Sequence, residues 1–241
     1  MIIAENGKAF HVQIRKGDIG RYVFLPGDPF RTDLIASYLT DPVLVAHNRE
    51  HKTWTGTLDG VKVSVTSTGM GCPSTAIAAE ELIGCGANTL IRIGTAGRVC
   101  DASMDPRLDG IIATAAVRDE GTSRQYIPID YPAVADIDVI AALTEAARKT
   151  GHLFARGIVH SKDAFYSEVE PDTMPCGELL KSRWNAWKAG NVMATEMESS
   201  TLFVVSSIRG VRAGTILSFS DMQKTVQTAV EAVRILIEKE K

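Results

Sequence analysis

Short apolar runs of strand length alternate with helix-length segments along nearly the whole chain, and this alternation narrows the possible folds more than any other feature. RYVFLP (21–26) reads as a strand, residues 29–39 as a helix and 43–46 as a second short strand. TWTGTLDGVKVSVTST alternates apolar and polar residues on either side of Asp59-Gly60, a hairpin signal. CPSTAIAAEELIGCGA then reads as a helix closed by glycine, and NTLIRIGTAG as a buried strand running into a loop of small residues. Beyond GIIATAAV the same rhythm places helices near 134–150, 176–189, 197–209 and 222–240, between strands near 153–159, 191–195 and 211–219. Strands joined by helices form a largely parallel sheet covered on both faces. The expected architecture is therefore a single α/β domain over 1–241, three-layered α/β/α, with a mixed, largely parallel central sheet.

With 45% apolar and 23% charged residues in a chain of 241, the composition is that of a soluble globular protein with room for one substantial core. The formal charge of −3 provides no global basic field. Nucleic acid is therefore not an expected partner, and any anionic ligand depends on a few placed cations. No apolar run approaches the ~20 residues that cross a bilayer, so no membrane association is expected. Cys72, Cys85, Cys100 and Cys176 form no CxxC pair, have no histidine at zinc-like spacing and follow no secretory segment. Reduced thiols in a cytoplasmic protein are expected.

In sheets of this kind, ligands gather at the loops leaving the carboxyl ends of strands. The first such loop is in FLPGDPFRTDL, where Asp28 suits a helix N-cap and Pro29 the first helical position. Helix initiation does not account for Gly27 and Arg31. A side-chain-free Gly27 lets an anion approach the helix N-terminus, and Arg31 adds a fork of donors there. The alternative for Arg31 is a solvated side chain. Arg92 stands inside the apolar strand of LIRIGTAG, where an unpaired cation is costly. It therefore holds either an anion or a buried salt bridge, and Thr95-Ala96-Gly97 behind it offers a hydroxyl and free backbone N–H groups. STGMGCPS resembles a dinucleotide fingerprint at Gly69 and Gly71, but Ser74 replaces the third glycine and no acidic residue ends the next strand. A nicotinamide cofactor is not expected. In ATEMESS, Thr195-x-x-Glu198 is a capping box; equally, Glu196, Met197 and Glu198 share a strand-to-helix loop where a carboxylate would accept two sugar hydroxyls.

Taken in order, GDPFR (27–31), NRE (48–50), STGMGCPS, RIGTAG and EMES (196–199) resemble the nucleoside phosphorylase family, which includes uridine phosphorylases and hexameric purine nucleoside phosphorylases. The similarity runs from about His11 to the last helix, and YPAVADIDV (131–139) is closer to the uridine branch. The resemblance implies phosphorolysis of a ribonucleoside to free base and ribose 1-phosphate, with inorganic phosphate as co-substrate and no cofactor or required metal. Gly27, Arg31, Arg92 and Thr95 would hold phosphate, joined by Arg49 from a second subunit. Met197 and Glu198 would hold ribose, with His11 arriving from the neighbouring chain. Such shared sites imply a homodimer, which in this family also assembles into hexamers. A potassium ion at the dimer axis would map to Glu50, the Met70 carbonyl and Ser74.

The base end stays open between branches. KDAFYSEVEPDTMP (162–175) resembles the family loop whose Phe165 stacks on the base, with Gly97 and Glu168 beside it; the glutamine and arginine of typical uracil readers are replaced, and Glu168 cannot donate to uracil oxygens unless protonated. Purine members carry a Ser-Asp whose aspartate is the general acid, and Ser220-Asp221 in TILSFSD stands in that register. The helix begins almost at once, at Met222, so either the lid is short, or a stretch is absent from this sequence and Asp221 caps the helix.

Overall fold

The computed structural model describes residues 3, 4 and 6–241. Among these, β1 (Tyr22–Pro26), β2 (Thr40–Asn48), β3 (His51–Leu58), β4 (Val61–Thr66), β5 (Thr89–Thr95), β6 (Gly97–Arg98), β7 (Gly110–Asp119), β8 (Ala133–Val134), β9 (Phe154–Lys162), β10 (Ala194–Glu196) and β11 (Arg212–Ser218) form one sheet. The helices are α1 (Arg31–Ala36), α2 (Cys72–Gly84), α3 (Thr122–Tyr126), α4 (Ile137–Thr150), α5 (Phe165–Val169), α6 (Gly177–Ala189), α7 (Ser199–Ile208) and α8 (Met222–Lys239). Strand order is β2-β3-β4-β1-β5-β11-β7-β9-β10-β6, with β8 beside β7. The centre is parallel from β4 through β1 and β5 to β11, and again from β7 through β9 to β10. One antiparallel contact, β11 against β7, joins the two halves.

Alternation along the strands splits the core between the two faces of the sheet. Val23, Leu25 and Leu90 pack against α2 and α7 through residues such as Leu82 and Phe203. Tyr22, Phe24, Ile91 and Ile93 face the other way, onto Ile35 of α1, Leu143 of α4 and Leu236 of α8. Each fully buried side chain of this size contributes about 1.5–3 kcal/mol relative to exposure. This is the expected α/β architecture, with helices on both faces. No helix among the described residues is long and apolar enough to cross a membrane.

Element boundaries moved where tertiary pairing competes with local signals. The first helix begins at Arg31 and ends at Ala36, rather than spanning 29–39. Asp28 uses its side chain to accept the Phe30 N–H at 2.9 Å, so it caps the turn ahead of the helix and not the helix itself. The strand expected at 43–46 extends over Thr40–Asn48 because it pairs with β3 along its length. Pro42 is tolerated because β2 is an edge strand with register shifts on either side of Val43 and Leu44. The Asp59-Gly60 hairpin forms as expected between β3 and β4.

Candidate active site

Arg92 lies two residues after Leu90 on β5, so it points to the same face of the sheet, toward the start of α7. Gly94 leaves room for it: a Cβ there would stand 2.8 Å from Arg92 Nη2. The guanidinium is paired twice, through Nε to Glu196 Oε2 at 2.9 Å and through Nη2 to Glu198 Oε2. The salt-bridge alternative for Arg92 is thus realised, and its Nη1 has no partner among the described residues.

The carboxylate that caps α7 is Glu196 and not Glu198. Glu196 accepts the N–H of Glu198 at 2.9 Å and that of Ser199 at 3.0 Å, and the Ser161 hydroxyl also donates to it. Glu198 occupies the cap position without a side-chain cap bond. Its Oε1 instead accepts the Gly71 N–H at 2.6 Å, presented by a backbone with φ +92° that suits glycine. The expected capping box at Thr195 and Glu198 does not form, because Glu198 is turned toward Arg92. Burial and the adjacent Glu196 charge push the Glu198 carboxyl above the usual carboxylate range, against the pull of Arg92.

These residues line a cavity of about 840 Å³. Gly27 from the loop after β1, Arg31 from the start of α1, Arg92, Thr95 and Gly97 from β5 and its continuation, and Met197 and Glu198 ahead of α7 all face it. Arg31 is half-buried and its side chain has no ion-pair partner among the described residues. Burial and the nearby Arg92 hold its pKa below the usual arginine value, against Asp28 and Glu198. Two guanidinium groups, each with unused donors, converge at this end, which suits a multivalent anion.

The opposite end of the cavity is built by β9 and α5. Phe165 opens α5 with its ring half-exposed, and Lys162 at the end of β9 lies 5.7 Å from the ring centre. Glu168 takes hydrogen bonds from Lys162 Nζ at 2.8 Å and from the Thr195 hydroxyl at 2.6 Å. Burial would raise its pKa, but His160, Lys162 and Thr195 together hold it below the usual carboxylate value. Lys162 and Glu168 also form the wall of a second cavity of about 380 Å³, which contains Trp184 and Trp187 of α6. There His160 sits between Asp119, 2.9 Å from Nε2, and the Thr195 hydroxyl, 3.1 Å from Nδ1.

Four expected site residues stand outside the larger cavity of this protomer. His11 is bound to Glu81, Nδ1 to Oε1 at 2.7 Å, and Arg49 occupies the exposed β2–β3 turn with φ 54°. Asp221 caps α8 by accepting the Gln223 N–H at 2.8 Å. Ser74 lies just behind the wall and donates to Glu50 Oε1 at 2.7 Å; Glu50 and Met70 themselves line the cavity. The Ser74 hydrogen bond holds Glu50 below its usual pKa. Sequence reasoning missed Lys162 and the anchoring role of Glu196. A lysine at the end of a strand reads as solvated, and the partner that defines Glu196 is 104 residues away.

The chain matches the family model described as the phosphorylase superfamily over residues 21–239. It is 45% identical to uridine phosphorylase of Treponema pallidum, covering 95% of this chain and 94% of that protein. Uridine phosphorylase of Thermococcus kodakarensis is 40% identical over 97% of this chain and 88% of its own length. Guanosine phosphorylase of Halorubrum lacusprofundi is 39% identical over 86% of this chain and 80% of its own.

Proposed function

From the premise that the chain belongs to the phosphorylase superfamily, we propose that it is a nucleoside phosphorylase, with uridine as its leading substrate. The observation that carries this reading is the meeting of Arg31 and Arg92 with Glu198 in one cavity: cationic donors for phosphate beside an acceptor for ribose hydroxyls. A hydrolase using water would have no use for the unpaired Arg31.

On this reading, hydrogen phosphate binds to Arg31, Arg92, Thr95 and the backbone at Gly27, with Arg49 added by a partner subunit. Ribose is held by Met197 and Glu198, and by the partner's own copy of His11. An oxygen of the phosphate forms a bond to C1′ as the bond from C1′ to the base nitrogen breaks, its electron pair leaving with the base. The proton carried in on hydrogen phosphate ends on the base, so neutral base and the ribose 1-phosphate dianion leave. Charge at C1′ is opposed by the dianion, so positioning and preorganised electrostatics supply the rate. Phe165 packs against the base, with Gly97 and Glu168 around it. Asp221, engaged in capping α8, takes no part, which favours uridine over a purine that needs an acid there. No metal is needed; Glu50, the Met70 carbonyl and Ser74 offer oxygens to a potassium ion between subunits, and no step runs through it.

A second reading, guanosine, is favoured by the ionised Glu168, which suits two adjacent N–H donors, and by the similarity to a guanosine phosphorylase. Ultraviolet assay of base release from uridine, inosine and guanosine, each with and without phosphate, separates these readings. The expected result is phosphate-dependent release from uridine. Release from the purine nucleosides alone moves the assignment to that branch, and release without phosphate overturns the phosphorylase reading.

A further inference from the structure

Lys162 has its side chain only 8% exposed and donates to Glu168 Oε1 and to Thr195 Oγ1, both at 2.8 Å. An ammonium has three N–H donors, so one is left without a partner among the described residues, on a residue that lines the larger cavity beside Phe165. Glu168 next to it is ionised and offers only acceptors. A flat ring lying on Phe165 therefore meets a donor and an acceptor side by side.

We propose that Lys162 and Glu168 together read a lactam edge, O=C–N–H, on the base: Lys162 donates to the ring carbonyl oxygen and Glu168 accepts the adjacent ring N–H. The inference rests on the phosphorylase reading and names its substrate class. Uracil, hypoxanthine and guanine carry this edge. Cytosine and adenine present an amino group and a bare ring nitrogen there, which sets donor against ammonium and lone pair against carboxylate. As the bond from C1′ breaks, the electron pair entering the ring spreads onto that carbonyl oxygen, and the Lys162 hydrogen bond strengthens without the proton leaving the lysine. Lys162 is then a catalytic residue as well as a specificity determinant. If Lys162 only tied β9 to α5, its loss would affect every nucleoside alike.

The test measures initial rates with uridine, 5-fluorouridine and cytidine, with and without phosphate, for the unaltered protein, Lys162→Met, Lys162→Arg and Glu168→Gln. The unaltered protein should discriminate against cytidine on the order of 10⁴-fold. Lys162→Met should lower kcat on uridine by roughly 100-fold with the phosphate KM unchanged. The loss on 5-fluorouridine, whose more acidic base departs with less help, should be clearly smaller, and Lys162→Arg should recover part of the rate. Equal losses on the two nucleosides, or cytidine cleaved as readily as uridine by the unaltered protein, would overturn the proposal. Glu168→Gln keeps size and shape but can turn its amide to donate to a bare ring nitrogen, so it should narrow the uridine-to-cytidine ratio by at least about tenfold. An unchanged ratio overturns the proposal even if the lysine variants fail to fold. Absence of phosphate-dependent release from any nucleoside by the unaltered protein is a separate outcome, and it removes the phosphorylase reading itself.

Discussion

Arg92 neutralises two carboxylates whose side chains are 0% and 5% exposed, Glu196 and Glu198, whereas Arg31 neutralises none. The two arginines should therefore respond differently to removal. Arg92→Ala leaves two buried carboxylates facing each other, and should lose about 3–5 kcal/mol of stability along with phosphorolysis. Arg31→Ala should change stability by no more than about 0.5 kcal/mol while raising the phosphate KM by roughly tenfold or more. Urea unfolding and phosphate titrations on both variants check this; equal destabilisation by the two would contradict the pairing described. Both arginines were legible in the sequence, one as a charge inside an apolar strand and one as a cation in a first helical turn. The roles of Glu196 and Glu198 were not. The spacing Thr195-x-x-Glu198 is a local signal for a cap, and Arg92, brought in by the sheet, draws Glu198 away and leaves the cap to Glu196.

Between elements, the chain Asp119–His160–Glu168 ties the ends of β7 and β9 to α5. Burial disfavours a charged His160, but hydrogen bonds to Asp119 and Glu168 outweigh it and raise its pKa above the usual value. A raised pKa in the folded state means that the folded protein holds the proton more tightly. The resulting stability is fully present below the ordinary histidine pKa of about 6.5 and is lost as pH rises through the folded value. The other cations facing the two carboxylates are Lys162, paired with Glu168, and Arg183, paired with Asp119. The melting temperature should therefore fall between pH 6 and 9 by more in the unaltered protein than in His160→Asn; parallel profiles would argue against a charged His160. Helix and strand types were readable because periodicity and capping residues are local. Lengths were not, since β2 is extended by pairing with β3, and α1 is shortened as the turn at Asp28 takes up the residues before Arg31.

For the molecule as a whole, the layered α/β architecture followed from the alternation of elements, but strand order did not, because nothing local marks where β11 meets β7 antiparallel. The same limit applies to the assembly. His11 and Arg49 lie outside their own protomer's cavity, and the proposed function has them complete the site of a partner. Mixing an Arg31→Ala protein with an Arg49→Ala protein, each weak alone when assayed at phosphate well below its KM, should then restore about one intact site in four after subunit exchange. No recovery after unfolding and refolding the mixture would place both arginines in one protomer's site. The described molecule is also uneven from end to end. The anion end of the cavity rests on β1, β5 and the start of α7, deep in the core, while α5, at the opposite end, and α6, which lines the second cavity, contain no buried residue. Apart from Glu168 and Arg183, which join the His160 network, and Gly177, which has no room for a Cβ, the identity of most residues between 163 and 190 adds little to the core. On the proposed function, lineages descended from such a chain are free to explore new bases through the outer residues of this segment while inheriting the anion and ribose end unchanged, with Lys162 at the border, where choice and reaction are selected together.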